Sequence, residues 1–230
     1  MTEQIIMRPL SKISKKRTMK NIFLLLVVCI FSYPLHGIAQ VMPQGFLIGP
    51  DGMIGSQLWA SRNLAVTSFN NGNTIPNITS AANWGASTPQ MCSYNFNAAN
   101  DAIYGKLYNW YAIVDTRGIC PVNWHIPTDT ELTTLNSTIG SNGGDLKEAG
   151  LVTWNSPNTG ATDKYNFKAL ATGYMGTTSP SGAGNVTYFW SNTASSSTFA
   201  YTWSLSKDNA LLTRSTQGKI GGFSVRCIHD

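Results

Sequence analysis

The chain has 230 residues, with 16 Lys+Arg against 11 Asp+Glu for a net charge of +5, and it is 42% hydrophobic, 11% aromatic and 12% charged. Aromatic residues run along its length, which excludes a largely disordered chain, and the length suits one well-cored domain. Six of the 16 basic residues (Arg8, Lys12, Lys15, Lys16, Arg17, Lys20) and one of the 11 acidic ones (Glu3) fall in residues 1–39, so residues 40–230 hold ten of each and sum to zero. The basicity is therefore local, and it gives no reason to expect a nucleic acid or an acidic membrane as partner.

Residues 22–31 form an apolar run of signal-peptide length behind the basic Lys15, Lys16, Arg17 and Lys20. Gly37-Ile38-Ala39 supplies small residues for cleavage after Ala39. The expectation is an N-terminal extension and secretory signal peptide over 1–39 and a single domain over 40–230, with no membrane span after cleavage. Met19 is an alternative start, and an uncleaved signal anchor is an alternative fate. A lipoprotein reading would need a small residue before Cys29, where Val28 stands. The exported chain would act extracellularly, at the outer surface or in the periplasm.

Cys29 leaves with such a leader, and Cys92, Cys120 and Cys227 remain. An odd count in an exported protein implies one bridge and one leftover thiol. The expected structural disulfide is Cys120–Cys227, closing the C-terminal strand onto the centre of the chain and leaving Cys92 buried. Its long loop would constrain the unfolded chain by about 4–5 kcal/mol. Cys92–Cys120 is the rival pairing.

In chain order, Gly49-Pro50-Asp51-Gly52 is a turn between strands at 46–48 and 53–54. Residues 57–60 and 65–69 are further strand candidates, and Asn70-Asn71-Gly72-Asn73 is a turn. Leu107, Trp110, Tyr111 and Val114 recur at i, i+3, i+4 and i+7, which predicts a helix over 104–114. Thr128-x-x-Glu131 is a capping box behind Pro127, and it opens a helix whose Leu132, Leu135 and Ile139 form a buried stripe before Gly140. Residues 177–185 are a Ser/Gly/Pro loop. Phe199, Tyr201, Trp203 and Leu205 alternate with Ala200, Thr202 and Ser204, the period of a half-buried strand. With strands at 211–215 and 223–227 it would make a three-stranded antiparallel meander.

Three groups of residues carry a family resemblance. They are Tyr104-Gly105-Lys106-Leu107-Tyr108-Asn109-Trp110-Tyr111-Ala112, then Cys120-Pro121-x-x-Trp124-His125-x-Pro127-Thr128-Asp129-x-Glu131, and the closing Gly222-Phe223-Ser224-Val225-Arg226-Cys227. With Ile54-Gly55-x-Gln57-x-Trp59-x-x-x-Asn63-Leu64, Leu146-Lys147-Glu148 and Trp154-x-x-Pro157-Asn158-x-Gly160-Ala161, they resemble the Fibrobacter succinogenes major paralogous domain. That family consists of exported proteins of the Bacteroidetes–Fibrobacteres lineage. The resemblance covers roughly 45–230, with Leu132 standing where the family usually has Trp. It implies an α+β fold, C-type-lectin-like or formylglycine-generating-enzyme-like, with two short helices packed on twisted antiparallel sheets and long ordered loops. It implies no activity.

The residues also speak against chemistry. His125 and His229 are the only histidines after the leader, and a Cys120–Cys227 bridge would remove the one cysteine close to His125. Pro127 breaks any helical i, i+4 metal pair of His125 with Asp129. Asp145 with Glu148 lacks the oxygen-rich ladder of a calcium loop. No hydrolase, zinc-protease, phosphate-loop or Cys-x-x-Cys pattern occurs, and no pair of cysteines matches the reactive pair of formylglycine-generating enzymes. No catalytic residue, metal site or cofactor is expected. Aromatic rings beside amides suit sugars and polar partners, so the candidate ligand-binding residues are Trp190, Asn192, Tyr201, Trp203, Asn209 and Arg214, with recognition carried by 177–215. The expected function is an exported, non-catalytic binding module for a glycan or protein ligand. Alternatives are a ligand-binding protein diversified by a reverse-transcriptase element, a structural or adhesive surface protein, and an enzyme using Cys92 or His125.

Overall fold

The computed structural model describes residues 52–230, so the expected leader and the strand at 46–48 lie outside the described residues. The described chain is α+β, with three α-helices, eleven mostly two-residue strands and several single 3-10 turns. Strands β1 (Met53–Ile54) and β2 (Gln57–Leu58) pair across a turn. The strand candidate at 65–69 is one arm of the Asn70–Asn73 turn, joined to the other arm by the single bridge Ser68↔Thr74. Next come β3 (Met91–Cys92), α1 (Asp101–Tyr104), β4 (Leu107–Tyr108) and α2 (Trp110–Ile113).

The helix predicted over 104–114 is therefore two helical turns with a strand between them. Gly105 has φ +73°, and a Cβ there would sit 2.7 Å from the Leu64 carbonyl oxygen. Lys106 N–H donates to that same carbonyl, and β4 then pairs with β3 while Tyr108 bridges Phe223. Helix resumes only where Asn109 Oδ1 accepts from Ala112 N–H. The apolar period was misleading because strand and helix are both buried here: Leu107, Tyr108, Ala112 and Ile113 all belong to the core.

Strand β5 (Trp124–His125) leads into α3 (Asp129–Thr138). The capping box is present: Glu131 N–H donates to Thr128 Oγ1 at 3.1 Å and Thr128 N–H to Glu131 Oε2 at 2.7 Å. Leu132, Leu135 and Ile139 are buried, and Gly140 takes φ +62° just past the helix. The loop expected at 177–185 contains β7 (Pro180–Ser181), which pairs with β6 (Tyr174–Met175).

The main sheet runs in the order β10–β9–β8, from β8 (Val186–Ala194), β9 (Phe199–Ser206) and β10 (Thr213–Gly218). The meander exists, but one strand earlier than expected. Both faces of β9 are covered, so it is not half-buried. Trp190 and Ala200 join a core with Phe223 and Val225, whereas Phe189, Trp203 and Leu205 join a second core with Leu132 and Leu135. Residues 223–227 are not its third strand. They thread between the two cores, bridging Tyr108 and Phe189, before β11 (Ile228–His229) pairs with β5. Cys120 is bonded to Cys227 across 107 residues, and Cys92 is buried and free.

Arg226 lies wholly buried in this threaded segment. Its Nε donates to Asn63 Oδ1, its Nη1 to the Ala60 and Phe167 carbonyls, and its Nη2 to the Lys168 carbonyl. The guanidinium also lies 4.4 Å from the Phe167 ring centroid and 5.7 Å from that of Phe189. Burial pulls its pKa down to about 9, which still leaves it charged at neutral pH. Arg226→Ala strands four acceptors in the interior, and the expected loss is about 3–5 kcal/mol in urea unfolding. Arg226→Lys keeps the charge but not the fork, so it should recover only part of that loss.

Candidate functional site

The six residues singled out for binding do not form one surface. Trp190 is 0% exposed, with its indole N–H on the Tyr108 carbonyl, so it is core. Trp203 is also buried and donates to Asp129 Oδ1, at the first turn of α3. Arg214 is paired across the sheet from Trp203, so it shares that residue's face. It grips the same Asp129 carboxylate through Nε and Nη2 at 2.8–3.0 Å and lies 3.8 Å over the Tyr201 ring. That face of Tyr201 is occupied by Arg214. Asn192 Nδ2 donates to the Ile126 carbonyl, holding β8 against the start of α3. Asn209 is an exposed turn residue whose Oδ1 accepts from Leu211 N–H and whose carbonyl accepts from Lys147 Nζ. Thus Tyr201, Trp203 and Arg214 come together around Asp129 as a packing device, while Asn192 ties β8 to the segment before α3 and Asn209 serves a turn.

His125 is held by side chains and not by backbone. Its Nδ1 lies 2.6 Å from Asp230 Oδ1 and its Nε2 2.9 Å from Glu131 Oε1, while Glu131 Oε2 completes the capping box. One imidazole thus links the C-terminal residue to the start of α3. Partial burial opposes its protonation, but the Asp230 and Glu131 carboxylates outweigh that and hold its pKa above the ordinary 6.5. Burial likewise opposes the charged form of Glu131, but the Thr128 N–H and His125 outweigh it and hold this carboxyl below 4.5. His125, Asn192 and Cys120 also line an open depression of about 480 Å³.

A larger cleft, about 540 Å³, lies away from all six. Its lining comes from residues 61–66, 101–105, 148–153 and 168–170, with Arg226 beneath. The floor is polar and tightly bonded. Asn63 accepts from Arg226 and donates to the Tyr104 carbonyl, while Glu148 Oε2 accepts from Thr153 N–H and Oγ1 at 3.1 and 2.7 Å. The rim is apolar, with Ile103 58% and Val152 83% exposed. Glu148 Oε1 keeps spare capacity, since its Lys168 partner is 3.9 Å away, whereas Asp101 Oδ1 has no hydrogen-bond partner among the described residues but is itself buried. Asp101 Oδ2 is bound by Lys106 at 2.7 Å. No spacing in the sequence points to this cleft, because tertiary folding alone assembles its segments.

Other reactive groups are tied down. Lys147 is fully buried with Nζ on the Thr159, Ser206 and Asn209 carbonyls, and burial lowers its pKa to about 8. Asp145 accepts from Thr162 Oγ1, so it and Glu148 turn to separate partners. Among the described residues, no group of three or more His, Cys, Asp and Glu could hold a metal, and no helix is long and apolar enough to cross a membrane.

One protein-family model, described as the Fibrobacter succinogenes major domain, matches residues 53–229. No curated protein matches the chain at a significant level.

The His125 clamp has a defined pH window. The His125 contribution is complete below its unfolded value of 6.5 and is lost as pH rises through the raised folded value. The Glu131 contribution is present above its unfolded value of 4.5 and is lost as pH falls through the depressed folded value. The urea midpoint should therefore be highest between pH 4.5 and 6.5. It should fall toward pH 8 in the wild type, and His125→Ala should flatten that fall. Burial pushes the Cys92 thiol up to about 12, so iodoacetamide at pH 8 should label Cys92 only after denaturation.

Proposed function

The chain belongs to the Fibrobacter succinogenes major domain family, and on that premise we propose that it is an exported, non-catalytic binding module for a glycan or protein ligand. The observation that carries this reading is the 540 Å³ cleft with a pre-bonded polar floor and an exposed aliphatic rim. Its size lies within the range of sites that enclose small ligands or part of a polymer. Rigid, satisfied floor groups suit recognition, since they are in place before the ligand arrives.

A non-catalytic role is supported by what the reactive side chains are doing. Cys120 is in the disulfide, Cys92 is buried, His125 is clamped by two carboxylates and Lys147 is capped by three carbonyls. Export is supported by the disulfide and by the apolar run at 22–31. We also take the fold as C-type-lectin-like and formylglycine-generating-enzyme-like. The capped core helix supports this, as does the Gly-Phe-x-Val-Arg segment that returns to Ala60 and Asn63 near the start of the domain.

The test is a glycan array and a pull-down from the native extracellular milieu, both with the exported chain. Val152→Asp and Ile103→Asp alter exposed rim residues and should abolish capture without lowering the urea midpoint. Two empty screens, or capture indifferent to both substitutions, would reject this function for the cleft.

A further inference from the structure

We infer that the cleft takes an acidic glycan, with Arg62 and Lys168 receiving a sugar carboxylate and Glu148 accepting from ring hydroxyls. This rests on the proposal that the cleft is the ligand site, and it names the class of ligand.

The charge balance comes first. Three cations (Arg62, Lys168, Arg226) and two carboxylates (Asp101, Glu148) line the cleft. Arg226 is consumed by its four acceptors, and Asp101 is compensated from behind by Lys106 at 2.7 Å. Lys168 reaches Glu148 only at 3.9 Å. Arg62 is exposed and has no ion pair among the described residues. Among the described residues the cation of the cleft whose donors are uncommitted is therefore Arg62, and its guanidinium is a planar donor fork that matches a carboxylate.

The unused acceptor comes next. Among the described residues Glu148 Oε1 has only the distant lysine. Carboxylate oxygens with spare lone pairs call for O–H or N–H donors, and sugar hydroxyls supply them. The aliphatic rim of Ile103, Val152 and Leu170 can cover the C–H faces of a ring. An extended peptide fits less well. Its carbonyls need donors along the cleft, and the lining offers few that are not already engaged. Acidic groups, hydroxyls and C–H faces occur together in a uronic-acid polymer.

The probe is an oligogalacturonate, titrated calorimetrically into the exported chain beside its methyl ester, which keeps the shape and removes the charge. The expected result is measurable binding that weakens with added salt, and a loss of about tenfold or more both for the methyl ester and for Arg62→Ala. Arg62 has no structural partner among the described residues, so Arg62→Ala should retain the wild-type urea midpoint, and its effect reads recognition alone. Equal affinity for the ester, indifference to Arg62→Ala, or binding of an aspartate-rich peptide in place of the uronate would each overturn the inference. A neutral glycan or a protein captured through the same rim would overturn it too, but would leave the binding-module reading standing. Empty screens with every ligand would remove both.

Discussion

The structure turns on the burial of one guanidinium. Arg226 is surrounded by acceptors from two separate parts of the chain, Ala60 with Asn63 and Phe167 with Lys168, and its own segment carries Cys227 next to it. Among the described residues no carboxylate comes within ion-pair distance of it. Neutral carbonyls and an amide oxygen therefore solvate a full charge, and two phenyl rings lie against it. Only arginine has enough donors in a fixed plane to satisfy so many acceptors at once. Each of those acceptors belongs to a loop with little ladder bonding of its own. The cation thus ties these loops together, and the disulfide one residue away holds the segment that carries it.

Lys147, which bridges Ala169 next to the carbonyls that Arg226 uses, repeats the device, with three carbonyls on its ammonium and the Trp154 ring 5.2 Å away. Asparagine does the same work without charge. Asn109 Oδ1 accepts from Gln90 N–H and Ala112 N–H while its Nδ2 donates to the Thr88 carbonyl. Asn158 Nδ2 bridges the Glu148 and Gly150 carbonyls. A fold with so many two-residue strands cannot satisfy its backbone by ladders, and side chains take over the task. Much of the asparagine in the described chain thus serves this internal stitching.

That explains which features were legible in the sequence. The capping box at Thr128 and Glu131, the turn at Asn70–Asn73 and the Cys120–Cys227 bridge depend on few residues and on local or covalent rules, and they are present as read. Periodicity failed where its premise failed. It assumes one covered face and one wet face, yet β9 and residues 223–227 are covered on both, and 104–114 changes from strand to helix inside the core. Trp190 and Trp203 looked like candidates for a ligand because tryptophan suits both roles. The structure gives their indole N–H groups to Tyr108 and Asp129, the way a buried indole is normally accommodated. The cleft had no signature at all, because Arg62, Asp101, Glu148 and Lys168 meet only through the tertiary fold.

The cleft and the buried cation share atoms, and this separates stability from specificity. Asn63 lies in the floor and accepts from Arg226, and Lys168 contributes its carbonyl to the cation and its ammonium side to the cleft. A change in the floor therefore disturbs the arginine site and, through it, the closure of the C-terminal strand. The rim has no such coupling. Arg62, Ile103 and Val152 are exposed, and among the described residues Arg62 makes no ion pair. Substitutions there can change the surface of the cleft while leaving the stitched interior intact. A scaffold arranged in this way is able to keep one fold and vary the edge of its cleft, with a rigid base supplied by the cation and a permissive edge supplied by residues that the core does not use.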